Sequence, residues 1–262
     1  MKALYYLQMS IKNEILKLKN TFAFWLSIIS ALFIPAIFFL YYFLKYKSLI
    51  PASGVNPWEK FMVDQIMSAA PFLIPFFIIL ITSLIVQVEH KSSAMKYLFS
   101  LPVPKWSIYF GKLLVSIGLI LFTYILFFLA MLMVGGIVGL IHEELNFLSY
   151  FPNYQKPLQL LFRSFIAVLG ILGLQFLLSF RIKNFIVPLG IGMVLVITGL
   201  IVYKAKESLY FPYTYNMLSL LPIRNEETSI VLWFPKVSIL SVFYFLIFSI
   251  LGFLSIKRMN IK

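Results

Sequence analysis

The residues of this chain that could take part in catalysis are few, and none stands in the spacing that its chemistry requires. The triplet His142-Glu143-Glu144 resembles the start of a zinc-protease motif, but no second histidine follows four residues after His142. The nearest approach to a nucleotide-binding loop is Gly111-Lys112, which lacks the first glycine and the magnesium-binding hydroxyl of that motif. We therefore expect a chain that is not an enzyme and binds no cofactor or metal of its own.

The sequence also lacks the groups that would let the chain drive transport by itself. There is no cysteine, which excludes disulfides, thiol catalysis and thiolate metal sites. The long apolar segments contain no Asp, Glu, Lys, Arg or His, although proton- and sodium-driven carriers depend on such groups within the membrane. The protein is therefore either passive or supplied with energy by a partner.

The composition predicts an integral membrane protein. Hydrophobic residues make up 61% of the 262 residues and charged residues 12%, against about 25% charged in a typical soluble domain. Six continuous apolar runs approach or exceed the roughly 20 residues that a helix needs to cross the bilayer. We predict one all-α transmembrane domain, 1–262, with six transmembrane helices. Their predicted bounds are 22–44, 68–88, 113–141, 164–180, 185–203 and 237–256.

The basic residues predict the orientation of these spans. Thirteen of the 22 Lys and Arg residues, but only two of the nine acids, fall in the terminal segments and loops that an even number of spans places on one side. Cytoplasmic loops carry such an excess of basic residues. We expect a multi-pass protein of the cell membrane with both termini in the cytoplasm. The net charge of +13 then reflects contact with membrane lipid, and no nucleic-acid partner is expected.

Residues 1–21 predict an amphipathic helix at the inner membrane surface. Apolar residues recur there at three-to-four spacing, and Lys12 and Lys17 are among the polar residues between them. The alternative is a solvated lead-in whose periodicity arises by chance. The apolar positions are Leu4, Leu7, Ile11, Ile15 and Leu18.

Prolines and glycines within the spans predict two local features. Pro71 and Pro75 lie one turn apart and are expected to kink the outer part of the second span. Gly135 and Gly139 have a small-xxx-small spacing suited to close helix contact, including contact with a second copy. Since glycine is common in membrane helices, this spacing is weak evidence for dimerisation.

The segment between the second and third spans is the most distinctive in the chain. Residues 89–112 read EHKSSAMKYLFSLPVPKWSIYFGK. We predict a short helix near the inner surface, ended by the turn that Pro102 and Pro104 impose. Trp106, Tyr109 and Lys112 are expected to anchor the start of the third span at the interface.

This segment resembles the first cytoplasmic loop of the permease subunits of type-2 ATP-binding-cassette (ABC) exporters. Most similar are permeases of bacterial lantibiotic- and bacitracin-type self-protection systems. An amphipathic N-terminal helix, six spans and a long last outer loop also fit that plan. The matching positions are Glu89, Lys96, Leu98, Leu101, Pro102, Val103, Tyr109 and Lys112.

The resemblance implies that the loop is a coupling helix seated on a separate cytoplasmic ATPase, which binds the ATP and magnesium. Glu89, Lys91 and Lys96 would then supply polar contacts to the ATPase, with Lys12 and Lys17 of the N-terminal helix beside them. The alternative for each charge is a residue that lipid headgroups satisfy. The apolar contacts would come from Leu98, Leu101, Pro102 and Val103.

The last outer loop contains an aromatic segment that is also found in these permeases. Phe211, Pro212, Tyr213 and Tyr215 are expected either in short re-entrant helices or in an aromatic belt at the interface. Both arrangements suit a substrate that leaves from the outer half of the membrane. We assign these four residues to substrate exit.

The resemblance favours a permease subunit that works with an ATPase and with a second permease, identical or related. Its substrate would be amphiphilic: an antimicrobial peptide, a lipid-linked compound or a drug. Two alternatives remain open at this point. One is an integral-membrane enzyme that uses the triplet at His142, and the other is a non-transporting assembly or sensor subunit.

Overall fold

The computed structural model describes residues 2–19, 21–91, 103–221 and 234–258, and within these ranges every regular element is helical. This confirms the predicted all-α class. Four short 3₁₀ turns, at Tyr46–Ser48, Glu143–Leu145, Lys206–Tyr210 and Pro212–Thr214, lie between the helices. The helices are α1 Lys2–Leu18, α2 Phe22–Lys45, α3 Pro57–Ala69, α4 Leu73–Lys91, α5 Lys105–Ile141, α6 Gln155–Ala167, α7 Leu169–Arg181, α8 Ile186–Val202, α9 Tyr215–Leu220 and α10 Lys236–Arg258.

A helix lies at each of the six predicted spans, but not all of them are long enough to count as spans. Among the described residues, four helices have the length and hydropathy to cross a membrane, and a fifth crossing results if the bent pair α3 and α4 is one span. Helix α8 has 17 residues and is about 26 Å long at 1.5 Å per residue. The count of six therefore stays a prediction. The four long helical stretches, of which the third counts α6 and α7 together, are Phe22–Ser48, Lys105–Ile141, Gln155–Arg181 and Lys236–Lys257.

The second span is broken where the prolines predicted a kink. Helix α3 ends at Ala69, α4 begins at Leu73, and their axes differ by 56°. Pro71 lies in the break. Proline has no N–H to donate and therefore interrupts the helical hydrogen bonding. The N-terminus of α3 is well capped: the side chain of Asn56 accepts a hydrogen bond from the backbone N–H of Trp58, and Pro57 occupies the first helical position.

The third and fourth spans extend beyond their predicted bounds. Helix α5 has 37 residues, about 56 Å, so it is longer than the bilayer and begins at Lys105 rather than at 113. Helices α6 and α7 are separated only by Val168 and together begin at Gln155 rather than at 164. The predictions missed these extensions because charged residues interrupt the apolar sequence near the start of each helix.

Helix α4 connects the two halves of the bundle. Helices α1 and α2 pack on α5, α10 packs on α7, and α4 contacts α2, α7 and α8. The large core cluster contains residues of both halves, among them Ile79, Met131 and Phe176. At one end of the bundle, α1 packs on the beginning of α5. Helix α3 and the loop 142–154 lie together at the opposite end.

Candidate functional site

Helix α1 is packed tightly against the beginning of α5. The Ser10 hydroxyl donates to the Ser107 hydroxyl over 3.4 Å. A Cβ atom on Gly111 would lie 2.8 Å from the Cβ of Ser10, closer than real Cβ atoms approach other atoms. Glycine at this position therefore lets the two helices come together. Residues Lys2–Leu18 are helical, and the location of this helix at the membrane surface stays a prediction.

A buried ion pair links these two helices. The ammonium group of Lys112 in α5 donates to the carboxylate of Glu14 in α1, and Lys17 donates to the same carboxylate over 2.6 Å. The side chain of Lys112 is 1% exposed and that of Glu14 is 6% exposed. The Lys112 ammonium group also lies 3.5 Å from the carbonyl oxygen of Ile85 in α4. This ammonium group of α5 therefore contacts two other helices, α1 and α4.

The charges around Glu14 keep its carboxylate ionised. Burial raises the pKa of Glu14, but the combined effect of Lys112 and Lys17, through charge and hydrogen bonds, lowers the pKa below its ordinary value of 4.5. The Glu14 carboxylate is thus ionised at neutral pH. A buried charge without a partner is costly, so this carboxylate and the Lys112 ammonium depend on each other.

Helix α1 has one face packed against the bundle and another that is exposed. Its most buried face carries Ser10, Glu14 and Leu18, which follow one another at intervals of four residues. Two residues of the predicted apolar face, Leu4 and Ile15, are exposed. The exposed apolar side chains of α1 form another surface available to lipid. They are Leu4, Tyr5, Met9, Ile15 and Leu16.

Two residues expected as interfacial anchors lie inside the protein instead. Tyr109 is fully buried, with its ring centroid 5.3 Å from that of Phe176 and 5.5 Å from that of Phe180. Gly252 of α10 provides the space for its hydroxyl. Lys112 is the buried partner of Glu14. The prediction that Tyr109 and Lys112 sit at the membrane surface is therefore wrong, because both pack against other helices.

Most of the predicted coupling residues lie outside the described part of the chain. The backbone of Glu89 and of Lys91 forms the last turn of α4. Val103 is half-buried just before Pro104, the residue that precedes α5. Lys96, Leu98, Leu101 and Pro102 fall among residues 92–102, which the structure does not describe. Lys12 is exposed on α1, while Lys17 belongs to the ion pair.

The aromatic segment of the last outer loop is folded into the bundle. Pro212, Tyr213 and Tyr215 are buried, and Phe211 is half-buried. The Tyr215 hydroxyl donates to the carbonyl oxygen of Leu209 over 2.7 Å. The segment forms a 3₁₀ turn followed by α9, in keeping with the short helices that one alternative predicted. Its role in substrate exit stays a prediction.

Asn216, which the sequence analysis did not single out, joins this segment to the break in the second span. Its amide nitrogen donates to the carbonyl oxygen of Ala70 over 2.8 Å, and its amide oxygen accepts from Ser164 over 2.6 Å. The Ser164 hydroxyl lies 2.8 Å from that of Tyr124. The four residues are buried and connect α5, α6, α9 and the α3–α4 break. The prolines predicted the break, but no sequence pattern predicted the residue that satisfies its carbonyl.

A second buried polar cluster joins α4, α7 and α8. The amide nitrogen of Gln175 donates to the carbonyl oxygen of Pro188 over 2.8 Å and to the Ser83 hydroxyl over 3.1 Å. The Ser83 hydroxyl lies 3.2 Å from the Ser179 hydroxyl. Uncharged side chains thus supply polar contacts within the apolar spans.

The remaining candidates have structural surroundings. The His142 ring stacks on that of Tyr46 with a centroid distance of 4.0 Å. Gly135 faces the Trp58 ring and Gly139 faces Phe147, so the small-xxx-small spacing serves contacts within the chain. In the described ranges, no three His, Cys, Asp or Glu residues are placed to hold a metal ion.

These features together describe a multi-pass helical membrane protein whose N-terminal helix is locked to the start of a long span. The sequence profile of the family described as ABC-2 family transporter protein matches residues 10–199. Because this match covers most of the chain, the protein belongs to that family and is a membrane permease of the type-2 ABC class. Neither a curated protein nor a solved structure shows significant similarity to the chain.

Proposed function

We propose that this chain is the membrane-spanning half of a transporter that a separate cytoplasmic ATPase drives. The observation that carries the proposal is membership of the ABC-2 family in a sequence that contains no nucleotide-binding loop of its own. ATP and magnesium would bind the partner, and this chain would catalyse no reaction.

The ATPase would contact residues 89–103. Glu89, Lys91 and Lys96 would supply charges, and the apolar contacts would come from Leu98, Leu101, Pro102 and Val103. The place of this segment in the chain supports the proposal, because it connects α4 to α5, two of the helices that form the core. Movement of the segment would therefore act directly on both spans.

The substrate would be an amphiphile, such as an antimicrobial peptide, a lipid-linked compound or a drug. The groove between α2, α4 and α5, lined by Ile34, Phe77, Ile120 and their neighbours, has a volume of about 40 Å³. Ligand pockets usually measure about 300–1,000 Å³, so this groove is too small for an amphiphile. We propose instead that the substrate path lies between this chain and a second permease, with Phe211, Pro212, Tyr213 and Tyr215 near its outer exit.

Charge reversal in the coupling segment tests the proposal. Glu89→Lys combined with Lys96→Glu is expected to abolish recovery of the ATPase with the tagged permease and to remove ATP-dependent protection of cells against amphiphilic antimicrobials. The physical reason is that reversed charges repel the matching charges of the ATPase groove. Recovery is measured by pull-down and protection by growth inhibition.

A matched control reverses two charges elsewhere. Lys206 and Glu207 are exposed in the loop after α8, and Lys206→Glu with Glu207→Lys also leaves the net charge unchanged. This control is expected to behave like the wild type. If the wild-type permease recovers no ATPase, or if the Glu89 and Lys96 variant keeps both recovery and protection, the proposed function is refuted.

A further inference from the structure

The buried Lys112–Glu14 pair links helix α1 to both helices that flank the proposed coupling segment. The segment leaves α4 after Lys91 and enters α5 at Lys105. Lys112 of α5 is paired with Glu14 of α1 and lies within 3.5 Å of the carbonyl oxygen of Ile85 in α4. The three helices therefore meet at one ammonium group, about two helical turns from either end of the segment.

The contact between α1 and α5 resists separation for two independent reasons. Pulling the helices apart would separate the buried Lys112 ammonium from the Glu14 carboxylate, and separating buried opposite charges is costly. The absence of a side chain at Gly111 also lets the two backbones approach closely beside Ser10 and Ser107. Neither contact depends on the exposed apolar face of α1.

We infer that Glu14 and Lys112 are positioning residues for energy coupling: their ion pair joins α1, the end of α4 and the start of α5 into one rigid body. A push on the coupling segment then moves the two spans together instead of bending their ends. This inference rests on the proposed function, since it requires an ATPase that acts on residues 89–103. It assigns α1 a mechanical role within the permease.

The test uses the complete permease–ATPase complex in lipid vesicles and needs no known substrate. A spin-labelled non-natural amino acid replaces the exposed Ser68 near the C-terminus of α3. The distance between the labels of the two permeases is then measured with and without ATP and vanadate. The double variant Glu14→Gln/Lys112→Met removes both charges, so neither is left buried alone. We expect the fraction of complexes in the ATP-induced state to fall about tenfold, within the usual range of coupling between sites.

The matched control is a second ion pair at the opposite end of the bundle. Lys156 and Glu59 are 2.9 Å apart and partly exposed, and Glu59→Gln/Lys156→Met is expected to respond like the wild type. ATPase binding is measured in parallel and is expected to persist in both double variants. If Glu14→Gln/Lys112→Met responds with the wild-type amplitude, the inference is overturned. If the wild type itself shows no ATP-dependent change, the proposed function fails instead.

A disulfide gives an independent test, because the chain contains no cysteine. The hydroxyls of Ser10 and Ser107 are 3.4 Å apart, so Ser10→Cys with Ser107→Cys can join α1 to α5 covalently. Oxidation of this pair is expected to leave the wild-type response unchanged and to restore the response of the Glu14 and Lys112 variant. Two results would show that the helices do not act as one body. One is loss of the response when the cysteine pair is oxidised in the otherwise wild-type chain. The other is a Glu14 and Lys112 variant whose response is not restored by complete oxidation of the pair.

Discussion

At the scale of single residues, the Glu14–Lys112 pair is the least expected feature of the protein. Burial of two charges is costly, and an ion pair recovers this cost only when the remaining hydrogen-bonding groups are also satisfied. Here Lys17 supplies a second donor to the carboxylate, and the Ile85 carbonyl oxygen lies beside the Lys112 ammonium. The arrangement therefore contributes specificity: it fixes which face of α1 meets α5.

The pair predicts a pH-dependent contribution to stability. At pH 7, Glu14→Gln is expected to lower the free energy of unfolding by about 3 kcal/mol, because the buried Lys112 ammonium loses the charge of the Glu14 carboxylate. The pKa of Glu14 in the folded protein lies below 4.5, so the stabilisation by its carboxylate is present above pH 4.5 and is lost as the pH falls through the folded pKa. Unfolding by SDS titration in mixed micelles, repeated at decreasing pH, measures the difference between wild type and variant.

That difference should shrink below pH 4.5, since the protonated Glu14 of the wild type then resembles the variant. The exposed pair supplies the comparison: Glu59→Gln is expected to change stability by less than about 1 kcal/mol at pH 7. Equal effects of Glu14→Gln and Glu59→Gln would contradict the role of burial.

At the scale of helices, polar side chains compensate for interruptions in the backbone. The α3–α4 break leaves the Ala70 carbonyl outside any helix, and Asn216 donates to it. Gln175 has a different role: it donates to the carbonyl oxygen of Pro188 in the first turn of α8 and so joins α7 to α8. Broken helices at membrane depth are tolerated when neighbouring groups supply such hydrogen bonds. The two side chains therefore permit the 56° bend and connect α8 to the bundle.

Removing the amide at position 216 tests this role. Asn216→Ala is expected to lower the free energy of unfolding by about 1–3 kcal/mol, because the buried Ala70 carbonyl loses its side-chain donor and the Ser164 hydroxyl keeps only Tyr124 as a partner. The matched control is Asn153→Ala, which removes an amide that donates to Glu59 over 2.9 Å at an exposed position. SDS titration measures both variants, and an effect of Asn216→Ala no greater than that of Asn153→Ala would contradict the prediction.

The sequence predicted the features that depend on neighbouring residues and missed those that depend on distant ones. Apolar runs located a helix at each expected span, and Pro71 marked the break, because both signals are local. Glu14 and Lys112 are 98 positions apart, and Asn216 and Ala70 are 146 apart, so only the folded chain brings them together. The same limit explains Tyr109: its position beside a predicted span suggested an anchor, whereas packing against α7 and α10 buries it.

At the scale of the whole molecule, the described helices share one large core but offer extensive apolar surface to their surroundings. Residues such as Leu32, Ile125, Val194 and Ile250 are exposed on four different helices. Lipid covers such surfaces in a membrane protein, and a second permease covers part of them in the proposed transporter. Gly135 and Gly139 are already occupied by Trp58 and Phe147, so the second copy must use other positions.

The active complex is therefore expected to contain two permeases. Native mass spectrometry of the complex released from lipid nanodiscs should show two chains of the 30.3 kDa class for every pair of ATPase subunits. Gly136→Leu, at a position with no neighbour within 4 Å, should preserve the fold, whereas Gly135→Leu should disrupt it because the added side chain collides with Trp58. A complex with one permease that still undergoes the ATP-dependent change would contradict a path between two copies.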